Sequence, residues 1–255
     1  MSFKLNFENQ GTPICIIKET GEKKAPVISL EKEGETARIP FEKLHLDGEQ
    51  YFQIIPNPKT ERQVIYITGQ SGSGKSYWMA QYGNEYHKMY PKREIYLFSS
   101  LNEDSSIDKV KNLKRIKLTP QLLNEELTAE DFQESLVIFD DTDCITDKAM
   151  KIKVNKIMGS VLETGRHFST SCIVSSHLAC SGGETKRILN EAQKIVFFPS
   201  SIGAAKLKYL LESYSSLDKE QQKKLKKLKS RWICIEKSYP PVVISQKDIF
   251  LPNAV

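Results

Sequence analysis

Val64-Ile65-Tyr66-Ile67-Thr68-Gly69-Gln70-Ser71-Gly72-Ser73-Gly74-Lys75-Ser76-Tyr77 is the stretch that decides the fold. The apolar run before Gly69 reads as a buried strand, the glycines as a tight loop, and Lys75 to His87 as a helix. Residues Gly69 to Ser76 fit the pattern G-x-x-x-x-G-K-[ST]. Average residue usage produces that pattern in roughly one chain in a hundred of this length. The strand before it and the helix after it separate a phosphate-binding loop from an ordinary Gly/Ser-rich one. In such a loop successive N–H groups face phosphate oxygens and the helix adds its positive end. Lys75 is expected to reach the β- and γ-phosphates of ATP and Ser76 to offer its hydroxyl to Mg²⁺. Gly69, Gln70, Ser71, Gly72, Ser73, Gly74 and Tyr77 complete the expected nucleotide site.

Downstream, apolar strands alternate with helical segments, the pattern of a parallel sheet with crossover helices. Strands are expected at 94–98, 136–139, 171–175 and 194–198, and helices at 148–164, 185–191, 204–213 and 218–229. Upstream, short apolar runs at 13–17, 25–30 and 51–55 are broken by turn residues, and Pro56-Asn57-Pro58 marks a boundary. The expected organisation is a small β-rich module over 1–58 and an α/β nucleotide-binding core over 59–255. That core would end in a basic helix and two edge strands, near 232–235 and 241–244.

A second motif supports the first. Leu136-Val137-Ile138-Phe139 delivers Asp140 and Asp141 at a strand tip, the form of a Walker B motif. Asp140 is expected to hold Mg²⁺ through water and Asp141 to orient and polarise the attacking water. A pair of acids here can also cap a turn, and Asp143 and Asp147 are read as such caps.

Glu163-Thr164-Gly165-Arg166-His167 closes the helix before the strand Ser171 to Ser175, which runs on to Ser176-His177, and Lys186-Arg187-Ile188-Leu189-Asn190 precedes a further apolar strand. In this order the motifs resemble the FtsK/HerA superfamily, and within it the poxvirus-type DNA packaging ATPases of large DNA viruses and virophages. The resemblance covers about Gln63 to Ser200 and implies a RecA-like fold, a homo-oligomeric ring and double-stranded DNA as the substrate of movement. It makes His177 a polar sensor of the γ-phosphate, where cellular relatives commonly carry Gln. The second Walker B acid is Asp141, where they usually carry Glu. Arg166 and Arg187 become candidates for an arginine finger supplied to a neighbouring subunit, worth about 10³–10⁵ in rate; each is equally readable as a solvated or capping residue. Capsid or portal proteins are implied partners, and the infected cell's cytosol, a viral factory or the virion the implied location.

Composition sets outer limits. With 39% hydrophobic and 27% charged residues the chain is too polar for a membrane protein, and no apolar run approaches the roughly 20 residues needed to cross. The start, Met1 to Glu8, lacks a signal peptide's apolar stretch, so the protein is expected to stay where it is made. Cys15, Cys144, Cys172, Cys180 and Cys234 show no C-x-x-C spacing, which fits reduced thiols rather than zinc or a redox pair. A net charge of +5 permits a polyanionic partner. The basic run Lys219 to Arg231 reads either as a solvated helix face or as a phosphate contact.

The expected function is an ATP-driven translocase that packages viral double-stranded DNA. Two other readings stay open: a P-loop kinase acting on a nucleoside or small acceptor, and a nucleotide-dependent assembly switch that turns over little.

Overall fold

A computed structural model describes residues 3–19, 25–32, 38–180 and 182–252. The chain divides into two compact units, one of Met1–Lys59 with Gln193–Val255 and one of Thr60–Ala192.

The first unit opens with β1 (Phe3–Asn6), β2 (Thr12–Lys18), β3 (Val27–Lys32), β4 (Lys43–His45) and β5 (Tyr51–Ile54). Four of them form an antiparallel sheet in the order β1-β3-β2-β5. Pro13 has no N–H to donate, and the β2–β3 register shifts between it and Cys15.

The second unit carries β6 (Val64–Thr68), α1 (Lys75–Met89), β7 (Ile95–Ser99), β8 (Leu113–Ile116), α2 (Pro120–Asn124), β9 (Leu136–Asp140), α3 (Lys148–Thr164), β10 (Ser171–Ser176) and α4 (Gly182–Glu191). Its strands run parallel in the order β6-β10-β9-β7-β8. Every residue of β6, β9 and β10 is buried, as expected of parallel strands covered on both faces. On α3 the buried residues Met150, Val154, Ile157, Met158, Val161 and Leu162 recur at three- and four-residue steps, the stripe of a helix lying on a core. Asp147 caps that helix by accepting the Met150 N–H at 2.7 Å. At its other end Arg62 donates to the carbonyls of Leu162 at 2.8 Å and of Val161 at 2.7 Å, the latter shared with the Gly165 N–H.

The chain then returns to the first unit with β11 (Lys194–Phe197), α5 (Ala204–Tyr214), α6 (Lys219–Lys226), β12 (Ile233–Glu236), β13 (Val242–Ser245) and β14 (Asp248–Phe250). These strands pair antiparallel in sequence, and β4 completes the row beside β14. Buried Lys194 is neutralised across the row by an ion pair to Glu236. Residues 193–255 group with the N-terminal segment rather than with the core from residue 59, because β4, three residues long in a polar stretch, pairs with β14. The basic helix α6 is shorter than the expected 218–229 and buries Gln222 and Leu225 within its unit. Among the described residues no helix is long and apolar enough to cross a membrane.

Candidate functional site

Strand register brings the site together. Thr68 lies opposite Ser176, Val174 opposite Phe139, and Ser99 opposite Asp140, so the carboxyl ends of β6, β10, β9 and β7 finish at one level. In a parallel α/β sheet that edge is where ligands bind.

From the end of β6 the loop turns through Gly72 at φ +76° and Gly74 at φ +109°, backbone positions that L side chains rarely adopt. Gly74 stands at the N-cap of α1 with no side-chain cap, and the first turn holds no acidic residue. The opening N–H groups of α1 thus have no acceptor from a capping side chain, which suits an anion. Gln70, Ser71 and Tyr77 are exposed around this turn, while Lys75 is buried.

The Lys75 ammonium donates to the Gly69 carbonyl at 2.9 Å, lies 3.2 Å from His177 Nδ1, and pairs with Asp141 Oδ1 at 3.4 Å. An ammonium only donates, so His177 Nδ1 must accept, and the ring proton then resides on Nε2. That nitrogen is 2.9 Å from Asp141 Oδ2, which makes Lys75, His177 and Asp141 one connected chain. Asp141 takes a left-handed backbone, φ +48°, at a cost of about 1–2 kcal/mol for a non-glycine residue.

Asp140 is 2% exposed. Burial pushes its carboxyl up to about 6, a hydrogen bond from Ser175 works against the rise, and the Asp141 charge adds to it. Ser175 Oγ lies 2.7 Å from Asp140 Oδ1 and 3.0 Å from Asp141 Oδ1, and accepts the Asp141 N–H at 3.0 Å. Asp143, read from sequence as a cap, instead accepts from Ser176 Oγ at 2.8 Å, because the turn after β9 carries it back against β10.

The Ser76 hydroxyl faces the carboxylate of Asp104, in the loop after β7. Burial opposes ionisation of Asp104, yet the N–H groups of Ser106 and Ile107 and the Ser76 hydroxyl hold it below the usual carboxylate range. The oxygen donors of Ser76 and Asp140 fit a hard divalent cation. Mg²⁺ characteristically takes one or two carboxylates and fills its shell with water and phosphate oxygens. Ser175 and Asp104 were not marked by sequence, since no motif distinguishes them.

The two arginines are placed differently. Arg166 is exposed at the amino end of β10, the opposite end of that strand from Ser175, and its Nε lies 2.6 Å from Glu61 Oε2. Arg187 pairs with Glu163 at 2.5 Å and lays its guanidinium on α3 at Gly159, where a Cβ would come within 2.6 Å of it. Each arginine is thus paired with an exposed acid.

Beside the site, a cavity of about 740 Å³ opens at the carboxyl ends of β7 and β8, lined among others by Ser99, Asn102, Glu103, Lys117, Thr119 and Cys144.

No protein-family model matches the chain. The uncharacterized protein V3 of Sputnik virophage is 41% identical over 191 residues, which cover 74% of this chain and 76% of that protein. Among solved structures, the cytoplasmic domain of the type VII secretion ATPase EccC from Thermomonospora curvata aligns with a TM-score of 0.53 at 10% identity, over 80% of this chain and 28% of that one. The genome packaging NTPase B204 of Sulfolobus turreted icosahedral virus 2, in complex with ATP-gammaS, aligns with a TM-score of 0.49 at 15% identity, over 73% of this chain and 98% of that one. With its P-loop NTPase fold, the chain belongs to one family with the Sputnik virophage V3 protein.

Proposed function

We propose that this protein hydrolyses ATP and uses the energy to move double-stranded DNA, packaging a viral genome into its capsid. The observation that carries the reading is the convergence of Lys75, Asp140, Asp141 and His177 at the carboxyl edge of one parallel sheet, beside a helix N-terminus without a side-chain cap. The virophage relative supplies the viral setting, and the motif order supplies the superfamily.

In this reading the backbone of Gly69 to Gly74 and the start of α1 cradle the phosphates, and Lys75 exchanges Asp141 for the γ-phosphate. Ser76 and Asp140 hold Mg²⁺, which when bound neutralises phosphate charge. Asp141, freed from Lys75, orients and polarises the attacking water, while His177 keeps hold of its second oxygen. Arg166 or Arg187 acts on the γ-phosphate of a neighbouring subunit in a ring, leaving its acidic partner to do so. Basic surface tracks the DNA backbone, because phosphates offer a sequence-independent grip. The protein works in the infected host cell, at a viral factory or on the virion, against capsid or portal proteins.

A kinase reading gains one point from the cavity at β7 and β8, which is large enough for a small acceptor. Its Arg115 is already committed, to Asp108 at 2.5 Å and the Leu101 carbonyl at 2.7 Å, which leaves Lys117 as the other cation in the lining.

The deciding experiment measures ATP hydrolysis with and without duplex DNA, alongside particle mass, with Lys75→Ala as the control. Multiple turnovers stimulated by DNA in an oligomeric particle support the proposal. Phosphate transfer to a nucleoside, or a monomer indifferent to DNA, would overturn it.

A further inference from the structure

Ser175 touches both Walker B acids, and a single hydroxyl cannot serve both at once. Its oxygen accepts the Asp141 N–H at 3.0 Å, pinning the left-handed turn that aims Asp141 at Lys75. Its one proton faces two acceptors, Asp140 Oδ1 at 2.7 Å and Asp141 Oδ1 at 3.0 Å. Both acceptors lie within reach by rotation about the Cβ–Oγ bond alone, without breaking any covalent bond. Ser175 itself is 1% exposed.

Asp141 Oδ1 has a second partner, the Lys75 ammonium at 3.4 Å, while Oδ2 faces His177. When Lys75 turns to phosphate, Oδ1 loses its cation. We propose that Ser175 is a positioning residue for hydrolysis, whose hydroxyl swings from Asp140 to Asp141 as Lys75 leaves and so keeps Asp141 in the orientation that activates water. The inference rests on the ATP-hydrolysis reading above. It concerns turnover: Ser175 contacts neither the loop nor Lys75, and its bond to Asp140, the acid assigned to Mg²⁺, is the one the swing gives up.

The test compares full-length wild type with Ser175→Ala, Ser175→Thr and Ser175→Cys, reading kcat for ATP and, separately, the Kd of ATP-gammaS. Loss of a hydrogen bond to a charged group predicts a kcat about ten- to a hundredfold lower in Ser175→Ala, with Kd within about threefold of wild type. Thr keeps the hydroxyl and recovers most of the turnover. Cys, a poor donor of similar size, does not. In an Asp141→Asn background Ser175→Ala should lower kcat little further, since both changes remove one function. Turnover of Ser175→Ala within about twofold of wild type overturns the inference. So does a parallel loss of kcat and affinity that Thr fails to rescue. If Ser175→Ala does not fold, the Thr and Cys pair decides: equal turnover, or Cys above Thr, overturns it. Absence of hydrolysis in wild type strikes the functional reading instead.

Discussion

Asp140→Asn should make the nucleotide-free protein more stable at neutral pH, although it removes an acid on which metal binding depends. Asp140 is 2% exposed and its carboxyl is pushed from an ordinary 3.8 up to about 6, chiefly by burial. Between those two pH values the native state holds a proton that the unfolded chain has released. Stability therefore falls as pH rises through the window, and above it the full cost of an ionised Asp140 weighs on the fold. Roughly two pH units at 1.36 kcal/mol each give about 3 kcal/mol. Asn keeps the side-chain oxygen that accepts from Ser175 and carries no charge to desolvate. The variant should thus gain up to about 3 kcal/mol at pH 7.5, about 6–12 °C in melting temperature for a chain of this size. Denaturant unfolding in EDTA is the assay, in a Trp232→Phe background so that fluorescence reports Trp78, buried on α1 of the same unit as Asp140. The gain should shrink as pH falls from 6 to 4. A variant less stable than wild type at pH 7.5, or a gain independent of pH, would refute the reasoning.

Asp141→Asn should bind ATP-gammaS much as wild type does but lose about 10²–10⁴ in kcat, the range for a positioned base; equal losses in both would mean that the two carboxylates exchange roles. Mixing an Arg166→Ala or Arg187→Ala variant with Lys75→Ala should restore part of the ATPase activity if either arginine acts across a subunit interface. No restoration for both, in particles shown by mass to be mixed, rules that out. Gly159→Ala should displace the mobile end of Arg187 while gaining roughly 1 kcal/mol of helix propensity, giving near-neutral stability by chemical unfolding. Gly165→Ala should instead lose about 1–3 kcal/mol, since its Cβ would meet the Val161 backbone carbonyl, which has no rotamer to escape into.

The elements legible in the sequence are those with a strong local signal. β6, its glycine loop and α1 carry a motif in strand–loop–helix context, and α3 shows an apolar stripe between Asp147 and Gly165. β8 was missed because Leu113-Lys114-Arg115-Ile116 is a short edge strand with two cations at its centre, and β1, β4 and β14 are only three or four residues long. In the site, Lys75 and the two acids follow from their spacing. Ser175 does not, since only the register that sets Val174 beside Phe139 brings the next residue to Asp140. Asp104 reaches Ser76 from a loop after β7 that has no regular period. The membership of residues 193–255 was hidden for a similar reason. His45 and Asp248, 2.7 Å apart, lie 203 positions from each other in the chain.

That separation bears on how the molecule is made. During synthesis β1 to β5 emerge first, but β14, the partner of β4, follows only after the whole of Thr60–Ala192 has been translated. The parallel strands β6 to β10 are all available earlier, with partners nearer along the chain than β14 is to β4. Closing a loop of about two hundred residues costs little more free energy than closing a shorter one, but contacts of such long range slow the search. On the ribosome β1, β3, β2 and β5 should therefore pair as soon as they emerge, while β4 waits for β14 with its strand edges in need of protection from other nascent chains.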